Sequence, residues 1–453
     1  MNVCLLYARS TKTGTFRSPG AEIIGARQGK MGSNLARHRR DLKEKLKQTS
    51  GQTSAILLQL LAIASENPPG DTTLLAQEVS TILQSVPGID VELVSAVHPI
   101  ENVAAVIHGR APGRRLVFNG HLDTFEIGDS SAWSASPYGE LKIGRIYGRG
   151  AADMKGGLAA QIYAALRLAE IRNCWQGELS LVLTGDEETA GPHGTQYLLE
   201  TSEVATGDAM MCADAGSPNV LRFGEKGLIW LTIEAAGKAG HGAHTHLTVS
   251  AIDRLLVAIS ALRLITDMPV KTDPRILSAI DDGASLSEVY SGQGETQTLK
   301  SITINFGTIK GGSTRNLVAD HAEVTADIRL PIGVNLDGAK SEIASLIGSL
   351  PGIRYRVDSE TEATVTDPHH EIVTRTAAIC AEVLGQQPAV TMRVGSSDAA
   401  LYRARGIASV VCGLTPHNMG GADEHVLVAE LKALGEIYTL AGFDYLTSDQ
   451  PEP

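Results

Sequence analysis

The sequence predicts an α/β protein in which a wound mixed sheet is interrupted by a smaller inserted layer. Short apolar runs alternate with helical segments over much of the chain, which is the pattern of a wound sheet. Polar clusters follow several of these runs, as ligand-binding residues do at the carboxyl ends of buried strands. The order of elements changes after residue 226 and returns to the first pattern from residue 363, which predicts the insertion.

The first part of the main sheet is expected over residues 50–226. A helix at residues 50–65 ends before Pro68 and Pro69, because proline cannot continue a helix. A second helix follows at about residues 73–83. Further on, short apolar strands are separated by one strongly helical stretch at residues 157–171. The strands cover residues 91–97, 104–108, 115–119 and 178–184.

Residues 227–362 are expected to form the inserted layer. The elements follow the βαββαβ order of a ferredoxin-like layer, with a polar stretch rich in Gly, Ser and Asp at about residues 271–300. The strands cover residues 228–236, 301–309, 321–330 and 354–359, and the helices cover residues 249–265 and 336–350.

Residues 363–446 are expected to complete the main sheet. Their elements are a helix at 372–384, a glycine loop at 394–398, a strand at 408–412 and a closing helix at 428–445. Residues 1–49 are expected to be a partly disordered leader that continues into a charged helix, and residues 447–453 a short tail.

The composition excludes several classes of protein. A net charge of −12 disfavours nucleic acid as a partner. Five cysteines without a Cys-x-x-Cys pair argue against a disulfide framework or a thiolate metal site, and favour a reducing compartment, so we expect a cytoplasmic protein. No apolar run approaches the roughly 20 residues that a membrane span needs, so no membrane partner is expected.

Four polar residues are of the types that bind Zn, Mn or Co ions. Three of them follow apolar runs and one lies among glycines, so all four are expected to converge on one crevice of the sheet. A carboxylate between two metal positions can also bridge a pair of ions. The four residues are His121, Asp153, Glu188 and Asp214.

Two further acids fit supporting roles. Glu187 is adjacent to Glu188, and neighbouring residues on an extended or turning chain point in different directions, so Glu187 can accept a proton while Glu188 binds metal. Asp123 lies two residues after His121 and can accept the other N–H of its imidazole, which fixes the tautomer.

These motifs resemble those of the M20 metallopeptidase family, which includes acetylornithine deacetylases, succinyl-diaminopimelate desuccinylases, aminoacylases and glutamate carboxypeptidases. The resemblance covers about residues 50–445. It rests on three motifs in the order and spacing of the family: HLDT at 121–124, GRGAADMKGG at 148–157 and GDEE at 185–188.

The resemblance implies a site for two metal ions that Asp153 bridges. One ion would also be bound by His121 and Asp214. The second would be bound by Glu188 and a histidine late in the chain, and Glu187 would be the general base.

The resemblance also implies a lid with substrate contacts. His241, in the run 237–246, matches the lid histidine that stabilises the oxyanion across a dimer. Asn316 and Arg329 match residues that bind the substrate's carboxylate, for which a planar guanidinium is well suited. Gly395 and Ser396 match the loop that holds the substrate backbone. A homodimer or higher homo-oligomer through the lid is therefore expected.

The chain departs from the family pattern at the late metal ligand. Four residues before Glu424, where the family usually has a histidine, stands Gly420, which has no side chain to bind metal. Either His425 or His417 supplies the ligand, with His425 preferred, or the protein uses one ion. One or two divalent ions per chain are therefore expected.

We accordingly expect a metal-dependent hydrolase of a C–N bond in a small carboxylate-bearing substrate, such as an N-acyl amino acid or a short peptide. One alternative is hydrolytic deamination of an aromatic amino acid such as an aminobenzoate or nitroanthranilate, using one metal. The other is a non-catalytic dimeric scaffold that kept the fold, against which Glu187 and Asp123 argue.

Overall fold

The computed structural model describes residues 19–448, and the surroundings of side chains from residue 34 onward. The expectations for residues 1–18 and for the last five residues therefore lie outside the described part of the chain. Within it, no helix is long and apolar enough to cross a membrane.

The described elements alternate as the sequence indicated. The helices are α1 Pro19–Thr49, α2 Gly51–Leu61, α3 Thr73–Gln84, α4 Gly156–Glu170, α5 Thr195–Thr201, α6 Ala251–Leu262, α7 Pro274–Ser291, α8 Glu295–Lys300, α9 Leu336–Ile347, α10 Glu371–Leu384, α11 Ala399–Ala404 and α12 Val428–Thr447. The strands are β1 Ile89–Val97, β2 Ile100–His108, β3 Arg115–His121, β4 Glu140–Lys142, β5 Arg145–Tyr147, β6 Glu178–Thr184, β7 Ala209–Cys212, β8 Val220–Glu225, β9 Gly227–Ala236, β10 Gly240–His241, β11 Thr303–Gly311, β12 Leu317–Val318, β13 His321–Leu330, β14 Ile353–Thr361, β15 Thr364–Val365, β16 Ala389–Arg393, β17 Ala408–Val411 and β18 His425–Leu427.

The main sheet is mixed and has nine strands. Its order is β1-β2-β6-β3-β7-β17-β8-β15, with β16 also beside β8. Strands β6, β3, β7 and β17 run parallel to one another. At one edge, β2 pairs antiparallel with β6 and β1 pairs antiparallel with β2. The predicted mixed α/β fold is therefore confirmed.

Both faces of the main sheet are covered. On β3, Leu116 and Phe118 pack with one hydrophobic cluster, which includes α4 and α12, while Val117 between them packs with a second cluster that includes residues of α5 and α11. Successive side chains on a strand point to opposite faces, so residues 116–118 of this central strand are apolar on both faces.

A four-stranded antiparallel sheet in the order β11-β13-β9-β14 forms a separate layer. Alternate residues of β13 are buried, from Ala322 to Leu330. They pack with buried residues of α6 and α9, such as Leu255 and Ile343, in a hydrophobic cluster of their own. The four-stranded sheet and helices α6 and α9 therefore share a hydrophobic core that is separate from the core of the main sheet.

The polar stretch at residues 271–300 differs from what the sequence indicated. It forms helices α7 and α8, and Ile276, Ile280 and Leu299 join the hydrophobic cluster of the main sheet. A Cβ added at Gly283 of α7 would lie 3.2 Å from Cβ of Thr391 on β16, so the helix packs closely against that strand. The stretch is attached to the main sheet rather than being a loop of the inserted layer.

Candidate metal centre

Three predicted ligands meet at one edge of the main sheet. His121 ends β3, Asp214 follows the adjacent parallel strand β7, and Asp153 lies in the short turn Ala151–Lys155 before α4. Parallel neighbours present their carboxyl ends at the same edge, which is where open α/β sheets bind ligands. The fold thus explains why residues almost a hundred positions apart converge.

The three side chains form a compact set of donors. His121, Asp153 and Asp214 are buried, and one donor atom from each lies within 4.8 Å of the other two. The Nε2 atom of His121 is 3.1 Å from Oδ1 of Asp153. One imidazole nitrogen and two carboxylate oxygens suit a divalent ion with an open position, so the residues present fit a metal.

Asp123 contacts the ring nitrogen of His121 that faces away from Asp153. Nδ1 of His121 lies 2.9 Å from the backbone carbonyl oxygen of Asp123 and 3.5 Å from its Oδ1. The nearer acceptor is therefore the backbone rather than the carboxylate that we expected. The carboxylate accepts hydrogen bonds from Asn67 Nδ2 at 2.9 Å and from the backbone N–H groups of Glu187 and Glu188 at 3.2 and 3.1 Å.

These hydrogen bonds affect the charge of Asp123. Burial acts to raise the pKa of its carboxyl, but the contacts with His121, Asn67 and the backbone of Glu188 hold that pKa below its usual value. Asp123 thus stays ionised while it orients the segment that carries both glutamates. Asn67 is a site residue that the sequence did not indicate, because only its place before two prolines sets it apart.

Glu187 and Glu188 differ in their relation to the three donors. Oε2 of Glu187 is 3.9 Å from Nε2 of His121, and 21% of the Glu187 side chain is exposed. Burial raises the pKa of Glu187 well above its usual value, and the carboxylates of Asp214 and Asp398 raise it further. Burial likewise raises the pKa of Glu188 to about 8, but Glu188 does not belong to the three-donor group.

Arg393 is a second site residue that the sequence did not indicate. Its Nη1 donates to Oδ2 of Asp214 at 2.5 Å. It lies two residues before Gly395, at the start of the glycine loop that contains Ser396, so that this loop is adjacent to the metal-binding group. Its position directly before a predicted substrate-binding loop was the one feature of the sequence that could have indicated a role in the site.

Arg149 and Glu424 hold the turn that carries Asp153. Nη1 of Arg149 lies 2.5 Å from Oε2 of Glu424, and both side chains are buried. Oε1 of Glu424 accepts hydrogen bonds from the backbone N–H groups of Ala152 and Asp153 at 2.9 and 3.3 Å. The segment before the closing helix therefore contributes to the site through Glu424.

His425 is not brought into the group. Glu424 points towards the Asp153 turn, and successive residues on an extended chain point to opposite sides. The ring of His425 accordingly lies between His417 and Tyr147, with a centroid distance of 4.8 Å to each. Its Nδ1 is 2.9 Å from the backbone oxygen of Asp423.

The substrate residues expected on the inserted layer fall into two sets. His241 and Asn316 are exposed and lie on neighbouring chains, since β10 pairs with β12 and the N–H of Gly242 donates to the backbone oxygen of Asn316 at 2.7 Å. Arg329 is engaged differently. Its Nε and Nη2 donate to the carboxylate of Asp327 at 2.8 and 3.1 Å.

The sequence model of peptidase family M20/M25/M40 matches residues 117–441. A succinyl-diaminopimelate desuccinylase of Parvibaculum lavamentivorans is 31% identical over 357 residues, which cover 75% of this chain and 81% of the relative.

Solved structures share the fold. An M20 family metallo-carboxypeptidase from Sulfolobus solfataricus, Sso-CP2, aligns with a TM-score of 0.72 at 18% identity, covering 87% of this chain and all of the other. The YXEP protein of Bacillus subtilis, a dinuclear metal-binding peptidase of the M20 family, aligns with a TM-score of 0.63 at 13% identity, covering 88% and 99%.

Proposed function

Because the chain belongs to peptidase family M20/M25/M40 and is a metal-dependent hydrolase, we propose that it hydrolyses the amide bond of an N-acyl amino acid or a short peptide. The observation that carries the proposal is the buried group of His121, Asp153 and Asp214 with Glu187 beside it. The similarity to a desuccinylase supports a small substrate that carries a carboxylate.

His121, Asp153 and Asp214 would hold a divalent ion, which we propose to be Zn, Mn or Co. Such an ion, when bound, lowers the pKa of water and polarises a carbonyl oxygen. Glu188 lies next to this group and is the remaining candidate ligand. Asp123 fixes the backbone of Glu187 and Glu188, so that both side chains keep their direction during turnover.

Glu187 would act as general base and then as general acid. It accepts a proton from the attacking water and donates it to the departing nitrogen. A raised pKa makes the Glu187 carboxylate a stronger proton acceptor, which favours its role as general base.

The substrate would be held between the main sheet and the inserted layer. His241 and Asn316 would contact the oxyanion and the carboxylate, and Gly395 and Ser396 the substrate backbone. Arg329 would bind the carboxylate by exchanging its present partner Asp327 for the substrate.

We assign residues 227–362 as a ferredoxin-like lid and dimerisation domain, of which α7 and α8 pack on the main sheet, and residues 50–226 and 363–446 as the catalytic domain. The separate hydrophobic cluster of the four-stranded sheet supports this division. A homodimer through the lid follows from the same assignment. Sedimentation analysis tests it, and a monomer at micromolar concentration would contradict it.

The experiment that tests the function is incubation of the metal-loaded protein with N-acetyl and N-succinyl amino acids, dipeptides and aminobenzoates. We expect release of a free amino acid from at least one acylated or peptide substrate. Release of ammonia from aminobenzoates, with no reaction of the amides, would contradict the proposal and favour deamination.

A further inference from the structure

We propose that the chain binds a single catalytic metal ion, held by His121, Asp153 and Asp214, and works as a mononuclear enzyme. The inference rests on the proposed function and deepens it, because it fixes the metal content of the same site.

The donors assemble in one place. Among the residues that the structure describes, only His121, Asp153 and Asp214 form a group of three such side chains with donor atoms within 4.8 Å of one another. One histidine and two carboxylates leave a fourth position for water, which is the usual arrangement of a catalytic site.

A second ion beside Asp153 would have Glu188 as its other acidic ligand. Oε1 of Glu188 is buried and has no hydrogen-bond partner within the described chain, so this oxygen is free to bind. Two carboxylates alone do not complete a site, because stable sites for these ions need a third protein ligand. The question is therefore whether the chain supplies a histidine.

The segment before the closing helix directs its histidine elsewhere. Glu424 occupies the side that faces Asp153, and Val426, two residues later, is fully buried on the same side. His425 between them points to the other side. There it stacks on His417 with an interplanar angle of 9°, and the backbone N–H of His425 donates to the oxygen of His417 at 3.1 Å.

The loop itself is also fixed in place. The backbone oxygen of Gly420 accepts a hydrogen bond from Nη2 of Arg149 at 3.1 Å, and Arg149 is bound to Glu424. Gly420 has a positive φ of 73°, which residues with side chains rarely adopt. Delivering His417 or His425 to Asp153 would require the loop to give up these contacts.

The test counts ions in the full-length protein. Metal-free protein is titrated calorimetrically with Zn²⁺ alone and, separately, with Mn²⁺ alone, and the metal retained after dialysis is measured by mass spectrometry. We expect one tight equivalent per chain in the wild type, in E188Q and in H425Q, and none in H121A. D153N serves if H121A fails to fold, as judged by circular dichroism.

Surface binding is controlled separately. His241, His244 and His246 are exposed, with neighbouring ring centroids 5.7 and 6.0 Å apart, so they could capture Zn²⁺ in solution. A second equivalent that disappears in the double variant H244A/H246A belongs to this surface and leaves the inference standing.

Two tight equivalents in the wild type that fall to one in E188Q or H425Q overturn the inference. If such a protein still hydrolyses amides, the proposed function survives and only the mononuclear site is wrong. A wild type that binds no ion overturns both.

Discussion

Arg149 and Glu424 form a buried ion pair between segments 275 residues apart in the sequence, with Nη1 and Oε2 separated by 2.5 Å. Their side chains are only 4% and 1% exposed. Glu424 also accepts a hydrogen bond from the backbone N–H of Asp153. The ion pair therefore stabilises the fold and also holds a proposed metal ligand in position.

Replacing Arg149 by Met should destabilise the protein strongly. The substitution leaves the Glu424 carboxylate buried without its cation, which typically costs about 3–5 kcal/mol. Urea unfolding followed by circular dichroism measures the loss. The double variant R149M/E424Q removes both charges and should lose less than the sum of the two single changes. A loss below about 1 kcal/mol in R149M would contradict the structural role of the pair.

Replacing Glu187 by Gln should lower kcat by about 10²–10⁴-fold, because the amide cannot accept a proton. Metal content should stay at the wild-type value, since Glu187 is not one of the three donors. The matched control is E203Q, which removes an exposed carboxylate from the turn Glu203–Ala205, and it should retain full activity. Unchanged turnover in E187Q would rule out the general-base assignment.

Replacing Asp123 by Asn should weaken metal binding by about 10–100-fold. The carboxylate accepts three N–H donors, and an amide would turn its own NH₂ group towards some of them. Competition with a chelating dye measures the affinity. N67A removes one donor and leaves the carboxylate, so it should have the smaller effect. Equal affinities for D123N and wild type would show that Asp123 does not position the site.

The N-terminal helix should contribute stability that depends on pH. Hydrogen bonds from Arg39, with a further contribution from Lys43, lower the pKa of Glu382 from 4.5 to about 2. A carboxyl whose pKa is lowered by folding stabilises the protein above its unfolded pKa, and that stabilisation is lost as the pH falls from about 4.5 to about 2.

The Glu382 side chain is 32% exposed, so solvent screening limits the expected effect of E382Q to about 1 kcal/mol at pH 7. Urea unfolding of wild type and E382Q between pH 7 and pH 3 measures the difference, which should narrow below pH 4.5. A difference that grows as the pH falls would contradict the assignment.

The main sheet could be predicted largely because its central strands contain short apolar runs. Strands β3 and β6 are covered on both faces, so successive residues are apolar over positions 116–118 of β3 and 181–183 of β6. Strand β8 was not predicted, because it contains Arg222 and Glu225, which are charged and nevertheless buried through partners in distant segments. Those partners become visible only in three dimensions.

Helix α7 shows a similar limit. Its buried residues follow a helical spacing and are Ile276, Ile280, Gly283 and Ser287. Because two of the four are small or polar, the sequence does not show the apolar periodicity by which a helix is usually recognised. In the site, the three ligands that converge could be chosen from motif and spacing. The direction of His425 could not, because it depends on which side of β18 faces Asp153.

The contacts of α7 and α8 with the main sheet limit how far the inserted segment can move. The inserted segment leaves the main sheet through Lys226, and Nζ of Lys226 donates to the backbone oxygens of Thr298 and Ser301 at 2.8 and 2.7 Å. Together with the packing of α7 on β16, these hydrogen bonds attach the segment to the main sheet at a third place, besides its two chain connections. Attachment at three places restricts rotation of the segment. For the lid proposed above, this predicts that small substrates are hydrolysed and long polypeptides are excluded.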